Sequence, residues 1–230
     1  MTSRDMRGRV AGVLLFISFL AFHLSFLVRE WRTLDAAARV NGLLISLTIL
    51  LFLSSYFLRT EPVRSAKGLW ETGYPLFCAV LPLLIYHDGE IVRCFGPGHP
   101  YRESVLSLFG ISAHPFLRWN VFSMALVLAG NSITLLGILY LKRSFSIMVE
   151  ARTPVFDGPY RYVRHPLYLG EALAVSGVLL FRFSAANVLL FFLFLFCQAV
   201  RARFEEKKLL SVFPEYGEYR RRTGAFFPKW

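Results

Sequence analysis

The sequence predicts an all-α integral membrane protein, and three observations support this fold class. Hydrophobic residues make up 55% of the 230 residues and aromatic residues 16%, a more apolar composition than most soluble domains have. Several apolar stretches approach the ~20 residues that a helix needs to cross a bilayer core of ~30 Å. Basic residues gather between these stretches, as in cytoplasmic loops of membrane proteins. We therefore expect a helical bundle with about five or six spans.

The predicted elements divide the chain into two parts. Residues 1–118 are expected to hold the N-terminal spans and a loop, and residues 119–230 a second membrane unit with a polar site. The predicted spans are Val10–Val28, Val40–Leu58, Gly73–Tyr86 (with a start nearer Gly68), Trp119–Leu141, Leu167–Phe181 and Ala185–Val200. The last two are separated by three residues, which predicts an antiparallel helical hairpin. Between the third and fourth spans, Ser104–Leu117 could form an interfacial or re-entrant helix.

The charge pattern predicts how the chain is oriented. The formal net charge is +11, and its basic residues cluster at the N-terminus, after the second span, before the hairpin and in the C-terminal tail. These positions predict cytoplasmic termini and contact with anionic lipid rather than nucleic acid. The three cysteines are widely separated and form no CxxC pair, so neither a disulfide framework nor a metal site is expected.

A polar connector, Asp157–Glu171, interrupts the apolar sequence. Gly158-Pro159 is a turn signal. His165 precedes a proline and is therefore disfavoured in a helix, whereas Pro166 suits the first helical position. The connector is rich in side chains that bind ligands, namely Tyr160, Arg161, Arg164, His165 and Tyr168.

The last span should continue as a helix to about Phe213. Arg201 and Glu205 are then four residues apart and share one helix face, just beyond the membrane edge. Because a hairpin returns the chain to the side it left, both should meet the connector. A carboxylate can bind an ammonium group, and an arginine can hold a carboxylate or phosphate in a forked hydrogen bond.

These residues resemble a known family. The run from Gly158 to Gly170 contains Arg-His-Pro-x-Tyr, and it is followed by Arg201, by the pair Glu205-Glu206 and by Tyr216–Arg220. This combination is similar to the isoprenylcysteine carboxyl methyltransferase and phospholipid methyltransferase superfamily. The resemblance covers roughly residues 144–230.

The resemblance implies S-adenosylmethionine as the cofactor, in a cytoplasmic pocket roofed by the C-terminal segment. It implies an acceptor that is a membrane lipid or is attached to one. By resemblance, Glu205 binds the methionine end of the cofactor, Arg201 orients the acceptor and acts in catalysis together with His165. The implied cofactor-binding residues are Arg152, Thr153, Pro154, Val155, Tyr160, His165, Pro166, Leu167, Tyr168 and Glu205.

The acceptor stays open at this point. A prenylcysteine carboxylate, a phospholipid amine and a small thiol are all compatible with the motif. A carboxylate or thiolate needs no general base, whereas an amine must lose a proton, for which His165 or Glu171 could serve. An NADPH-dependent sterol-type reductase has a similar turn and is the main alternative, although the Glu205-Glu206 pair would repel a 2′-phosphate. A non-catalytic membrane scaffold would not need the clustered polar connector.

Overall fold

The computed structural model describes residues 3–32, 34, 36–86, 119–181 and 183–229. In these residues the chain forms helices, numbered here in chain order, and it contains isolated β-bridges but no strand element. The helices are α1 Ser3–Glu30, α2 Ala36–Leu58, α3 Gly68–Tyr86, α4 Trp119–Leu141, α5 Pro166–Phe181, α6 Ala185–Leu210 and α7 Glu215–Arg222. The all-α fold class is thereby confirmed. The helix expected at Ser104–Leu117 and the thiol of Cys94 lie outside the described residues.

Among the described residues, four helices are long and apolar enough to cross a membrane. They are the segments Arg9–Glu30, Arg39–Leu58, Val121–Ser144 and Ala185–Leu210. The apolar helices α3 and α5 are shorter, with 19 and 16 residues. The four long helices agree with four of the predicted spans, while a crossing by α3 or α5 stays a prediction.

The α4–α5 pair is the closest helix packing in the described part of the chain. A Cβ atom added at Gly130 would lie 2.4 Å from the backbone nitrogen of Ala174, and one at Gly170 would lie 2.4 Å from Thr134 Oγ1. Small residues therefore let the two backbones touch, as in many membrane helix pairs. The predicted hairpin partner α6 contacts α5 less extensively.

Two polar contacts between α5 and α6 run in opposite order along the two helices. Tyr168 bonds to Glu205 near one end, and Glu171 bonds to Gln198 further along. This order agrees with the antiparallel hairpin that the short connection predicts.

Several backbone contacts hold the polar segments at one end of the bundle. Arg9 Nη2 donates to the carbonyl oxygen of Arg59 at 2.7 Å, which joins α1 to the end of α2. The backbones of Arg64 and Ala151 form an antiparallel bridge, which joins the segment after α2 to the segment after α4. The described part of the N-terminal helix and the later polar segments thus share one end. Its cytoplasmic location stays a prediction.

Candidate functional site

A cavity of about 340 Å³ lies at this polar end and continues between the helices. Its polar wall comes from the segment before α5, from α6 and from α7. Its apolar wall comes from α1 and α2, with Phe16, Ile49 and Phe52 among the lining residues. A volume of this size is in the range of small-molecule sites, which run from ~300 to ~1,000 Å³.

The structure brings the sequence-predicted site residues together around this cavity. The lining includes Arg152, Thr153, Pro154, Val155, Tyr160, His165, Leu167, Tyr168, Arg201 and Glu205. Pro166 is the exception, since it is fully buried at the start of α5 and is not part of the lining. Its place at the first helical position agrees with the fixed φ of proline.

Glu205, Tyr168 and Arg201 form one contact group, which we call the cavity cluster. Tyr168 Oη donates to Glu205 Oε1 at 2.5 Å, and Arg201 Nε donates to the same oxygen at 3.2 Å. The guanidinium carbon of Arg201 lies 5.0 Å from the centre of the Tyr168 ring, within cation–π range. The Glu205 side chain nevertheless keeps 21% of its surface exposed, against 6% for Arg201. The carboxylate is thus oriented by two donors and still accessible.

The segment after α4 fixes the orientation of Arg201. Arg201 Nη2 donates to the carbonyl oxygen of Ile147 at 2.8 Å, and the Ile147 amide donates to Tyr56 Oη at 3.0 Å. Tyr56 belongs to α2 and is almost fully buried. The run Ser144–Ile147 had no assigned role in the sequence, and the structure shows that it links α2 to the arginine.

Glu206 forms a second group, which we call the tail clamp. Its Oε1 accepts from Arg164 Nε at 2.7 Å and lies 3.0 Å from His165 Nε2, while its Oε2 lies 2.9 Å from Arg220 Nε. The amides of Arg164 and His165 also donate to the carbonyl oxygens of Gly224 and Ala225. The clamp therefore joins the connector, α6 and the C-terminal tail. Sequence reasoning assigned His165 to the cofactor but missed its partner Glu206 in this role.

The C-terminal helix α7 closes over the connector through Tyr219. Tyr219 Oη donates to the carbonyl oxygen of Tyr160 at 2.6 Å, and the Tyr219 ring lies 4.6 Å from the Phe156 ring. Burial raises the pKa of Tyr219, and burial followed by the nearby Glu205 charge raises the pKa of Tyr160. Both phenols therefore stay protonated at neutral pH, as the hydrogen bond donated by Tyr219 requires.

Comparisons with known proteins match the part of the chain that carries most of this site. Residues 105–216 match the family model described as phospholipid methyltransferase. The chain belongs to the isoprenylcysteine carboxyl methyltransferase and phospholipid methyltransferase superfamily. This superfamily and the four apolar helices together identify an integral membrane protein.

Two curated relatives carry names from metal resistance. The chain is 34% identical over 126 residues to the cobalt-zinc-cadmium resistance protein CzcN of Cupriavidus metallidurans, a match that covers 53% of this chain and 56% of CzcN. It is 37% identical over 78 residues to the nickel-cobalt-cadmium resistance protein NccN of Alcaligenes xylosoxydans xylosoxydans, covering 33% of this chain and 36% of NccN. The matches thus span about half or less of these relatives.

Two further ion-pair groups lie beside the walls of the cavity. Arg152 Nη2 donates to Glu150 Oε2 at 2.7 Å, and Arg59 lies 3.8 Å from the same carboxylate oxygen. Lys208 Nζ donates to Glu71 Oε2 at 2.6 Å and to the carbonyl oxygen of Val149 at 2.9 Å. The sequence alone indicated no role for Glu150 or Lys208. Lys208 contacts Glu71, which is distant in the chain. Glu150 meets Arg59 only in the folded structure.

The residues of the cavity fit the cofactor that the superfamily uses. The exposed carboxylate of Glu205 suits an ammonium group, and the aromatic and apolar side chains beside it suit a purine and a sulfonium. Arg201 stands next to the carboxylate, where it can hold an anionic group on the acceptor. Glu171 also lines the cavity and accepts a hydrogen bond from Gln198 Nε2 at 2.5 Å.

Proposed function

We propose that this protein transfers a methyl group from S-adenosylmethionine to a lipophilic acceptor at the membrane surface. One observation carries the proposal: the oriented, 21% exposed carboxylate of Glu205 lies in a cavity that continues into an apolar lining from α1 and α2. A polar cofactor site and an apolar acceptor site are thereby adjacent. Such an arrangement suits a reaction between a water-soluble donor and a membrane-bound acceptor.

The roles of the residues follow from their chemistry and position. We assign Glu205 to the ammonium group of the cofactor, and the residues 152–155, Tyr160, His165, Leu167 and Tyr168 to its surroundings. We assign Arg201 to the acceptor, which it would orient and whose negative charge it would balance. When bound, S-adenosylmethionine supplies an electrophilic methyl group, whose carbon bonds to the acceptor's electron pair while the sulfur keeps the electrons of the broken bond. Positioning and exclusion of water supply much of the catalysis in such a site.

The acceptor that fits the cluster best is an anion. Arg201 is a permanent cation beside the cavity, and a carboxylate or thiolate can be methylated without a general base. A prenylcysteine carboxylate is the acceptor implied by one branch of the superfamily, and a small thiol is another anionic choice. A phospholipid amine would have to lose a proton, for which His165 and Glu171, which both line the cavity, are the candidates. The names of the two relatives concern metal resistance and specify no acceptor.

The cofactor assignment is tested by binding of labelled S-adenosylmethionine to purified protein in detergent. Glu205→Gln removes the charge and keeps the shape of the side chain, and we expect about 100-fold weaker binding. Glu215→Gln is the matched control, since Glu215 is an exposed residue at the start of α7. Unchanged binding by Glu205→Gln would contradict the assignment of this residue. Stabilisation of the protein by NADPH instead of S-adenosylmethionine would favour the reductase alternative.

The acceptor is identified by a second experiment. The protein is incubated with a labelled methyl donor and total membrane lipid, and the labelled product is separated and analysed. An alkali-labile methyl ester would indicate a carboxylate acceptor, whereas a stable label would indicate an amine or a thiol. The absence of any label transfer to lipid, with cofactor binding intact, would contradict a lipid acceptor.

A further inference from the structure

The cavity has an inner lobe, the part lined by α1, α2 and α4 away from the cavity cluster. Aromatic and aliphatic side chains, among them Phe16, Phe19, Ile45 and Ile49, form most of its lining. Polar residues of the three helices also line the cavity there, among them His23 of α1, Thr48 of α2 and Asn131 of α4. We call these three residues the inner polar set. Polar groups within membrane helices are costly unless they have partners.

The inner polar set lies far from the cavity cluster along the helices. Tyr56, which contacts the Ile147 amide, marks the level of the cluster on α2. Thr48 precedes Tyr56 by eight residues, which corresponds to ~12 Å along the helix axis. Gly42, the partner of His23, precedes Tyr56 by 14 residues, which corresponds to ~21 Å. On α4, Asn131 is ten residues from the end at Leu141, which corresponds to ~15 Å. A ligand that reaches both regions must therefore be long.

Each member of the set has one protein partner and remaining hydrogen-bonding capacity. His23 Nε2 donates to the carbonyl oxygen of Gly42 at 2.9 Å, which leaves Nδ1 of a neutral ring as an acceptor. Asn131 Nδ2 donates to Asn41 Oδ1 at 2.8 Å, and an amide has a second N–H and an acceptor oxygen. Thr48 Oγ1 donates to the carbonyl oxygen of Leu44 at 2.9 Å and can still accept. Acceptors thus outnumber donors on the lobe side.

We propose that the inner lobe binds the tail of the methyl acceptor and that a hydroxyl group on that tail hydrogen-bonds to at least one member of the inner polar set. The substrate class is then a long lipophilic molecule with a hydroxyl group remote from the methylated group. A hydroxyl matches the set because it donates one hydrogen bond and accepts others. The inference rests on the proposed function in one respect, since it takes the cavity cluster as the methylation end.

Two of the three helices around the inner lobe, α1 and α2, lie outside the family match, and α4 lies within it. Residues 105–216 match the family model, whereas His23 and Thr48 lie on α1 and α2. Interhelical hydrogen bonds alone would explain one contact for each polar residue but not their common position on a cavity wall. The lobe is therefore a specificity feature of this chain in addition to its methyltransferase motif.

The test compares two probes that differ by one group: a medium-chain fatty acid and its ω-hydroxy derivative. Binding to the purified full chain is measured by titration calorimetry in detergent. We expect the hydroxy acid to bind wild-type protein about 10-fold more tightly. At least one of the variants Thr48→Val and His23→Phe should reduce this preference at least about threefold, because it removes the group that bonds the hydroxyl. Ser18→Ala is the matched control, since Ser18 is an exposed hydroxyl on α1.

The outcomes separate this inference from the proposed function. Equal affinity of wild-type protein for both probes overturns the inference, and so does an unchanged preference in both lobe variants. Thr48 donates only within its own helix, so Thr48→Val keeps the test valid if His23→Phe fails to fold. Binding of labelled S-adenosylmethionine is measured on the same wild-type sample. If the wild-type protein does not bind S-adenosylmethionine but still binds the hydroxy acid more tightly, the proposed function is refuted and the lobe remains a binding site.

Discussion

Two neighbouring carboxylates on α6 have opposite environments. Glu206, in the tail clamp, is 8% exposed and contacts the guanidinium groups of Arg164 and Arg220 and the imidazole of His165. Glu205, in the cavity cluster, is 21% exposed, and both of its donors meet one oxygen. Glu206 thus bonds to groups within the fold, whereas Glu205 can still bind a ligand. Adjacent identical residues can therefore be assigned different roles from their contacts alone.

Removing the Glu206 charge should have the largest effect on stability. Glu206→Gln leaves Arg164 and His165 without their charged partner in a buried position, and we expect a loss of about 3 kcal/mol in the free energy of unfolding. Denaturant unfolding in detergent measures it. The control is Glu218→Gln, because the Glu218–Arg222 pair is 56% and 77% exposed and should contribute less than about 0.5 kcal/mol. Equal effects of the two variants would show that the clamp is not a stabilising element.

The cavity cluster should respond in activity instead. Arg201→Lys keeps the positive charge, but an ammonium cannot reach Glu205 and the Ile147 carbonyl with the geometry of a planar guanidinium. We expect kcat/KM for methyl transfer to fall about 100-fold with a smaller change in cofactor affinity. Steady-state kinetics with labelled donor and the identified acceptor provide the measurement. A loss of cofactor binding as large as the loss of kcat/KM would assign Arg201 to the cofactor rather than to the acceptor.

The Tyr168 hydroxyl tests how Glu205 is oriented. Tyr168→Phe removes the hydrogen bond to Glu205 Oε1 and keeps the ring that stacks on His165 with centroids 5.3 Å apart. We expect about 10-fold weaker binding of S-adenosylmethionine and little change in unfolding midpoint. Tyr162→Phe is a suitable control, since Tyr162 is exposed in the same connector. A variant that binds the cofactor as tightly as wild type would mean that Arg201 alone orients Glu205.

The smallest effect is expected at the roof of the cavity. Tyr219→Phe removes the hydrogen bond to the Tyr160 carbonyl and leaves the packing on Phe156 in place. The loss of one neutral hydrogen bond, about 1 kcal/mol, should speed cofactor release by about fivefold. Stopped-flow displacement of the bound cofactor measures this rate. A release rate equal to that of wild type would show that α7 does not retain the cofactor.

Much of the polar site follows from local sequence. The four-residue spacing of Arg201 and Glu205 predicts a shared helix face, and the structure confirms their ion pair. Pro166 begins α5 as its fixed φ predicts. Each of these features depends on helix geometry or on the chemistry of one side chain, and both are readable from a short stretch of sequence.

Other features depend on contacts between distant residues. Nothing in the sequence distinguishes Glu205 from Glu206. Only the contacts with Arg164 and Arg220 give Glu206 its role in the tail clamp. The hairpin pattern predicts α6 as the neighbour of α5, yet the glycines of α4 and α5 make α4 its closer partner. The sequence indicates only that the aromatic residues of α1 and α2 belong to membrane helices. The structure shows that several of them line the cavity.

The sequence by itself determined the helices, the breaks between them and the polar residues of the connector, because hydrophobicity, proline geometry and helical spacing act over a few residues. Only the tertiary structure decided which carboxylate stays accessible, which loop holds Arg201 and which spans enclose the inner lobe. Those outcomes depend on the rotation and depth at which α1, α2 and α4 pack against the hairpin. Packing of small residues sets that arrangement, and no single segment contains the information.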